Sequence, residues 1–73
     1  MGMRVSFDCH QKRYDEVRET LPNWVLMNQT PPLEIICGNS KGMKSVVENI
    51  CHHWGFTYRE SVHNPAIIVI DQI

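Results

Sequence analysis

The chain has no Cys-x-x-Cys pair and only three cysteines, Cys9, Cys37 and Cys51, an odd number at wide spacings. That argues against a disulfide framework and makes a reducing, cytosolic (cytoplasmic) compartment the expectation. No apolar run approaches the roughly 18 residues that span a bilayer, so no transmembrane helix and no membrane partner are expected. The first residues lack the long apolar stretch of a secretory signal, and none is expected. An excess of positive charge is also missing. Seven Lys plus Arg stand against eight Asp plus Glu, for a net charge of -1. This excludes a highly basic, histone-like binder and leaves room for a local basic patch. Internal repeats and low-complexity segments are absent.

What is present is 73 residues, 42% hydrophobic and 21% charged. That supports one ordinary globular core over residues 1–73 and is too short for two. Met1-Gly2 reads as a start or cloning remnant ahead of the first strand, although Met1 to Ser6 formally fits a myristoylation signal. The sequon Asn28-Gln29-Thr30 carries no meaning in a cytosolic setting.

Met3 to Cys9 alternates, with Met3, Val5, Phe7 and Cys9 on one side, and predicts a half-buried strand. Gln11 to about Met27 places Tyr14, Val17, Leu21, Trp24 and Val25 at helical spacing. Pro22 inside it predicts a kink, or a stop at Leu21 with a short second turn. Asn28 to Pro32 is a loop. Leu33 to Cys37 is a second strand, and Gly38 to Gly42 a turn with Ser40 as helix N-cap. Met43, Val46, Val47, Ile50, Cys51 and Trp54 then form the strongest helical stripe, read as core, with Gly55 as a left-handed C-cap. Phe56 to Glu60 reads as a strand and Ser61 to Pro65 as a loop. Ala66 to Ile70, apolar throughout, reads as a strand that is central or covered on both faces. The last two strands should form an antiparallel hairpin, and the first two should be parallel. The expected fold is an α/β two-layer sandwich, βαβαββ. A four-stranded mixed sheet carries both helices on one face, through Tyr14, Val17 and Leu21 and through Val46, Val47 and Ile50.

In such a fold the carboxyl ends of the two parallel strands share one edge, where ligands bind. Asp8-Cys9-His10 and Cys37 to Gly42 should therefore be neighbours, with His63-Asn64-Pro65 as a third loop. The Gly38 turn offers backbone N–H groups at a helix N-terminus, and Lys41 and Lys44 add charge for a phosphate. Of the chain's cations, Lys12, Arg13, Lys41 and Lys44 belong near this edge. Asp8 and His10 are two apart, so a carboxylate can hold the imidazole in one tautomer. The competing reading is that Asp8 caps the following helix and His10 is an exposed polar residue. A zinc site from Cys9, His10 and Cys37 lacks the usual paired spacing, so no metal site is predicted. His52-His53 reads as a solvated helix face, since adjacent helical residues point apart.

Phe7-Asp8-Cys9-His10 resembles the Leu-Asp-x-His motif of the small MutS-related (Smr) domain family. Ile36 to Ser40 stands where that family carries Thr-Gly-x-Gly or His-Gly-x-Gly. Lys44 through Val47 is similar to the start of its second helix, and Gly55-Phe56 to its helix-to-strand turn. Asn64-Pro65-Ala66, followed by Ile67-Ile68-Val69, is similar to its Asn-x-Gly and final strand. The resemblance runs from about Val5 to Ile70. The sequence departs from the pattern at Gln11, Ser40 and Ala66, each standing where the family has glycine. The resemblance implies a fold shared with the C-terminal domain of translation initiation factor three. It implies DNA or RNA as partner, with nicking or RNA-cleaving endonuclease activity in several members. Asp8 and His10 would be the catalytic pair, and Gly38, Asn39, Ser40, Lys41, Lys44, Lys12, Arg13 and Asn64 the phosphate-binding set. Asp8 would orient His10 or hold a divalent metal such as Mg²⁺ or Mn²⁺. Two alternatives stay open at this point: a non-catalytic module that binds DNA or RNA structure, and a protein-interaction domain using the same edge. A monomer is expected.

Overall fold

The computed structural model describes residues 5–28 and 30–73; Met1 to Arg4, and with them the expected start of the first strand, lie outside the described residues. The element order is β1 (Val5–Asp8), α1 (Tyr14–Asn28), β2 (Leu33–Ile36), α2 (Lys41–Trp54), β3 (Thr57–Glu60) and β4 (Ile67–Gln72). The four strands form one mixed sheet in the order β1-β2-β4-β3. β1 runs parallel to β2, with Phe7 opposite Ile35 and Asp8 opposite Ile36. β4 is antiparallel to both of its neighbours. This is the expected βαβαββ arrangement of a small α+β fold, and β4 is central.

Alternation along the strands sorts the sheet into two faces. Phe7, Leu33, Ile35, Ile68 and Ile70 point into a single core, which they share with Val17, Leu21 and Val25 of α1 and Met43, Val46, Val47, Ile50 and Cys51 of α2. Both helices therefore cover one face. The other face carries Asp8, Glu34, Ile36, Ile67, Val69 and Asp71, with Arg59 bonded through Nε to Asp71 Oδ2 at 3.0 Å. β4 reads as uniformly apolar because Ile67 and Val69 sit at the middle of this open face. Val69 is nevertheless buried, and no second layer is needed to shield it.

Local signals explain the ends of α2. The Ser40 hydroxyl accepts from the Met43 amide at 3.1 Å, which caps an otherwise unpaired N–H. Gly55 takes φ 76°, and the amides of Gly55 and Phe56 return to the carbonyls of His52 and Cys51. This is the Schellman pairing, and it needs a residue that adopts left-handed φ without strain.

Three expectations require correction. Helix α1 does not stop at Leu21 but continues as one element through Pro22 to Asn28. The Pro22 ring is buried with Leu21 and Val25 against the core, and that packing offsets the lost hydrogen bond. Tyr14 is not a core residue. It is the first residue of α1 and 45% exposed. Trp54, assigned to the core stripe of α2, is its last residue and 49% exposed. Its ring stacks on Phe56 at 6.4 Å between centroids.

Candidate functional site

The parallel register of β1 and β2 sets the site. Asp8 and Ile36 end their strands side by side, and the Cys9 amide donates to the Ile36 carbonyl at 2.9 Å. The loops that follow must leave the sheet at the same edge. Gly38 turns the second loop with φ 69°, a left-handed conformation suited to glycine. The absence of a side chain there also admits the His10 imidazole. A Cβ on Gly38 would lie 3.1 Å from His10 Cε1 and 3.5 Å from Nδ1.

Around this contact lie two hollows. A cleft of ≈ 290 Å³ is lined by His10, Lys12, Tyr14, Asn39 and Ser40, with Cys9, Cys37 and Met43 also on its wall. On the other side of the turn, a hollow of ≈ 160 Å³ is lined by Gly38, Asn39, Ser40, Lys41, Lys44, Pro65 and Ala66. The structure thus gathers His10, Lys12, Gly38, Asn39, Ser40, Lys41 and Lys44 at one edge. Asp8 adjoins His10 but lines neither hollow, and the same holds for Arg13, which is exposed ahead of α1. Asn64 is adjacent through Pro65 and Ala66. Its Oδ1 accepts from the Ala66 amide at 3.0 Å, which shapes the β3–β4 loop.

Asp8 and His10 are held together differently from the expectation. Asp8 Oδ1 accepts from the backbone amide of His10 at 2.8 Å. The His10 Nδ1 lies 3.8 Å from the same oxygen, beyond hydrogen-bond length, and both side chains are exposed. Asp8 therefore fixes the turn that carries His10 and leaves the ring free of a direct bond. It does not cap α1, which begins at Tyr14. The next residue, Gln11, has φ 64°. The position where the resembled family has glycine thus has the backbone conformation that glycine accepts without strain.

The cations differ in how committed they are. Lys44 Nζ is 2.7 Å from Glu60 Oε1, and this hydrogen-bonded ion pair holds its ammonium above the usual lysine range. Lys12 Nζ sits 5.6 Å from the centroid of the Phe7 ring. Lys41 projects from the first residue of α2, exposed.

Tyr14 and the cysteines belong to the site although the sequence pattern had placed Tyr14 in the core. A Cβ on Gly42 would collide with the Tyr14 hydroxyl, so the phenol lies directly on the first turn of α2. The signal for this is the glycine at Gly42, the second residue of α2, where a residue with a side chain would form helix more readily. Cys9 and Cys37 are free thiols on the wall of the larger cleft. Among the described residues, no group of three or more His, Cys, Asp or Glu side chains is arranged to hold a metal ion. Cys9, His10 and Cys37 accordingly form no zinc site. Asp8 contributes one carboxylate, enough for Mg²⁺ or Mn²⁺ only where substrate phosphate supplies further oxygens.

A third hollow of ≈ 190 Å³ lies on the open sheet face between Pro32, Glu34, Arg59, Val62, His63 and Val69. Its one arginine is already bonded to Asp71, so it offers an anion little. Among the described residues no helix is long and apolar enough to cross a membrane. Comparison of the chain with protein-family models, with characterised proteins and with solved structures gave no match in any of the three.

Proposed function

We propose that this chain is a small Smr-like domain that binds the phosphate backbone of DNA or RNA at the edge formed by the β1–α1 and β2–α2 loops. The observation that carries the reading is the contact of the His10 imidazole with Gly38. It joins two short motifs, far apart in sequence, at one point beside a helix N-terminus. Phosphate oxygens fit there because the first amides of α2 lack intrahelical partners and Lys41 supplies positive charge. An acid or base within reach of that phosphate is what phosphodiester cleavage requires. In that reaction His10 takes the proton of the attacking hydroxyl or water, and Lys41 with the turn amides stabilises the charge gathering on the phosphoryl oxygens.

A second reading, binding without cleavage, is favoured by one distance. The 3.8 Å between His10 Nδ1 and Asp8 leaves the imidazole without the bond that would fix its tautomer. One paired measurement separates the two. Purified chain is assayed for binding and cleavage of supercoiled DNA and structured RNA, with and without Mg²⁺ or Mn²⁺. Under the first reading His10→Ala lowers cleavage by roughly 10²–10⁴-fold and leaves binding nearly intact. Binding with no cleavage under any condition selects the second reading, and no binding at all rejects both.

A further inference from the structure

Beneath the His10–Gly38 contact lies a pair of thiols with no part in the reading above. Cys9 and Cys37 are the residues immediately after the last register pair, Asp8 and Ile36, and the Cys9 amide still donates to the Ile36 carbonyl, so the two lie side by side just beyond the strand ends. The alternation that turns Phe7 and Ile35 into the core turns both sulfurs to the same side. They are buried, and both line the larger cleft, which gives a small molecule a path to them. Residues facing each other on neighbouring strands have backbones roughly 4.8 Å apart, within the Cα separations that a disulfide bridges.

From this geometry we infer that Cys9 and Cys37 form a peroxide-responsive dithiol that closes to a reversible disulfide under the floor of the candidate site. The two thiols have distinct roles. The Cys37 thiol donates to the Ile35 carbonyl at 3.8 Å, and its nearness holds the Cys9 thiol below its usual range, while Cys9 and burial together push the Cys37 thiol up. Burial and Asp8 oppose ionisation of Cys9 and Lys12 favours it, each more weakly than Cys37 does. Lys44 favours ionisation of Cys37 and Glu48 opposes it. Cys9 is therefore the nucleophile. Its thiolate attacks one oxygen of a hydroperoxide and the O–O bond breaks. Cys9 becomes a sulfenic acid, and the other oxygen leaves as water or alcohol. The Cys37 sulfur then attacks the Cys9 sulfur. The S–O bond breaks, and hydroxide departs as water with the Cys37 proton. Two thiols are oxidised and one peroxide is reduced. The residues on either side, His10 and Gly38, move with the closing bond.

This inference does not depend on what the edge binds. The test is to treat the reduced, folded full chain with hydrogen peroxide, alkylate the remaining thiols and map the peptides. The expected result is that the free thiols fall from three to one. A Cys9–Cys37 disulfide should form, Cys51 should be alkylated, and dithiothreitol should restore all three. In Cys37→Ser, Cys9 should stop at a sulfenic acid trapped by a dimedone probe. Cys9 and Cys37 both alkylated after peroxide, a disulfide that includes Cys51, or cross-linking seen only in denaturant would each overturn the inference. Because the mapping is done on unsubstituted protein, a variant that fails to fold does not blunt it.

Discussion

The His10 imidazole occupies the space that a side chain at position 38 would need, with Cε1 3.1 Å from where that Cβ would stand. Gly38→Ala therefore meets two obstacles, a crowded ring and φ 69°. The expected loss of stability is about 1–2 kcal/mol from the backbone alone. His10 should be displaced as well, visible as a shift of its ring resonances. An unchanged denaturation midpoint together with unchanged resonances would show that the two loops do not meet in solution.

Gln11 gives the opposite sign. It holds φ 64° with a full side chain, so Gln11→Gly should stabilise the fold by up to ~1 kcal/mol after the extra entropy of glycine is subtracted. Gln11→Ala keeps the strain and should be close to neutral. Equal denaturation midpoints for the two variants would refute a left-handed residue at this position.

The ion pair of Lys44 with Glu60 ranks the two lysines of the phosphate hollow. Lys41→Ala should weaken nucleic-acid binding and lower the salt slope by about 1, whereas Lys44→Ala should do less. Glu60→Gln releases Lys44 and should tighten binding. Binding titrations over a range of salt concentrations decide this, and a larger effect from Lys44 than from Lys41 would contradict the ranking.

For Asp8 the backbone bond matters most. An amide oxygen can still accept from the His10 N–H, so Asp8→Asn should keep the turn, while Asp8→Ala should cost about 1 kcal/mol. Urea unfolding of the two variants separates an acceptor role from a charge role.

Thiol reactivity should follow pH in a set order. A thiolate appears as pH rises through its pKa. Cys9 is lowered by the Cys37 thiol beside it, Cys51 is pushed up to about 11 by burial and Glu48, and Cys37 is raised by Cys9 and burial. Alkylation of the folded chain should thus reach Cys9 first and at the lowest pH. Mass spectrometry after timed alkylation reads the order, and Cys51 reacting first would break it.

Features written into neighbouring residues were legible in the sequence. Ser40 and Gly55 mark the ends of α2 because a hydroxyl and a missing side chain act on amides within a few residues. The meeting of His10 with Gly38 followed from topology, since parallel strands joined by a helix must end at one edge. Depth of burial was less legible. Periodicity gives the angle of a side chain about its helix and says nothing of where the core stops. Tyr14 and Trp54 have core-like phases, but each is a terminal residue of its helix. The continuation of α1 through Pro22 depended on tertiary packing that propensity does not contain. The pairing of Lys44 with Glu60 joins α2 to β3, and no local pattern announces it.

The bare side of the sheet has a consequence for how a polyanion arrives. Among the described residues the Arg59 guanidinium is held there by Asp71, while Lys41 stands exposed at the rim beside α2. On the reading proposed above, a polyanion that reaches the flat side finds its arginine already held by a carboxylate and is drawn less there than at the rim, a difference felt within roughly a Debye length, ~8 Å at physiological salt. The domain would therefore sort encounters by direction before any contact forms, and it would engage its target end-on rather than lay the sheet along it.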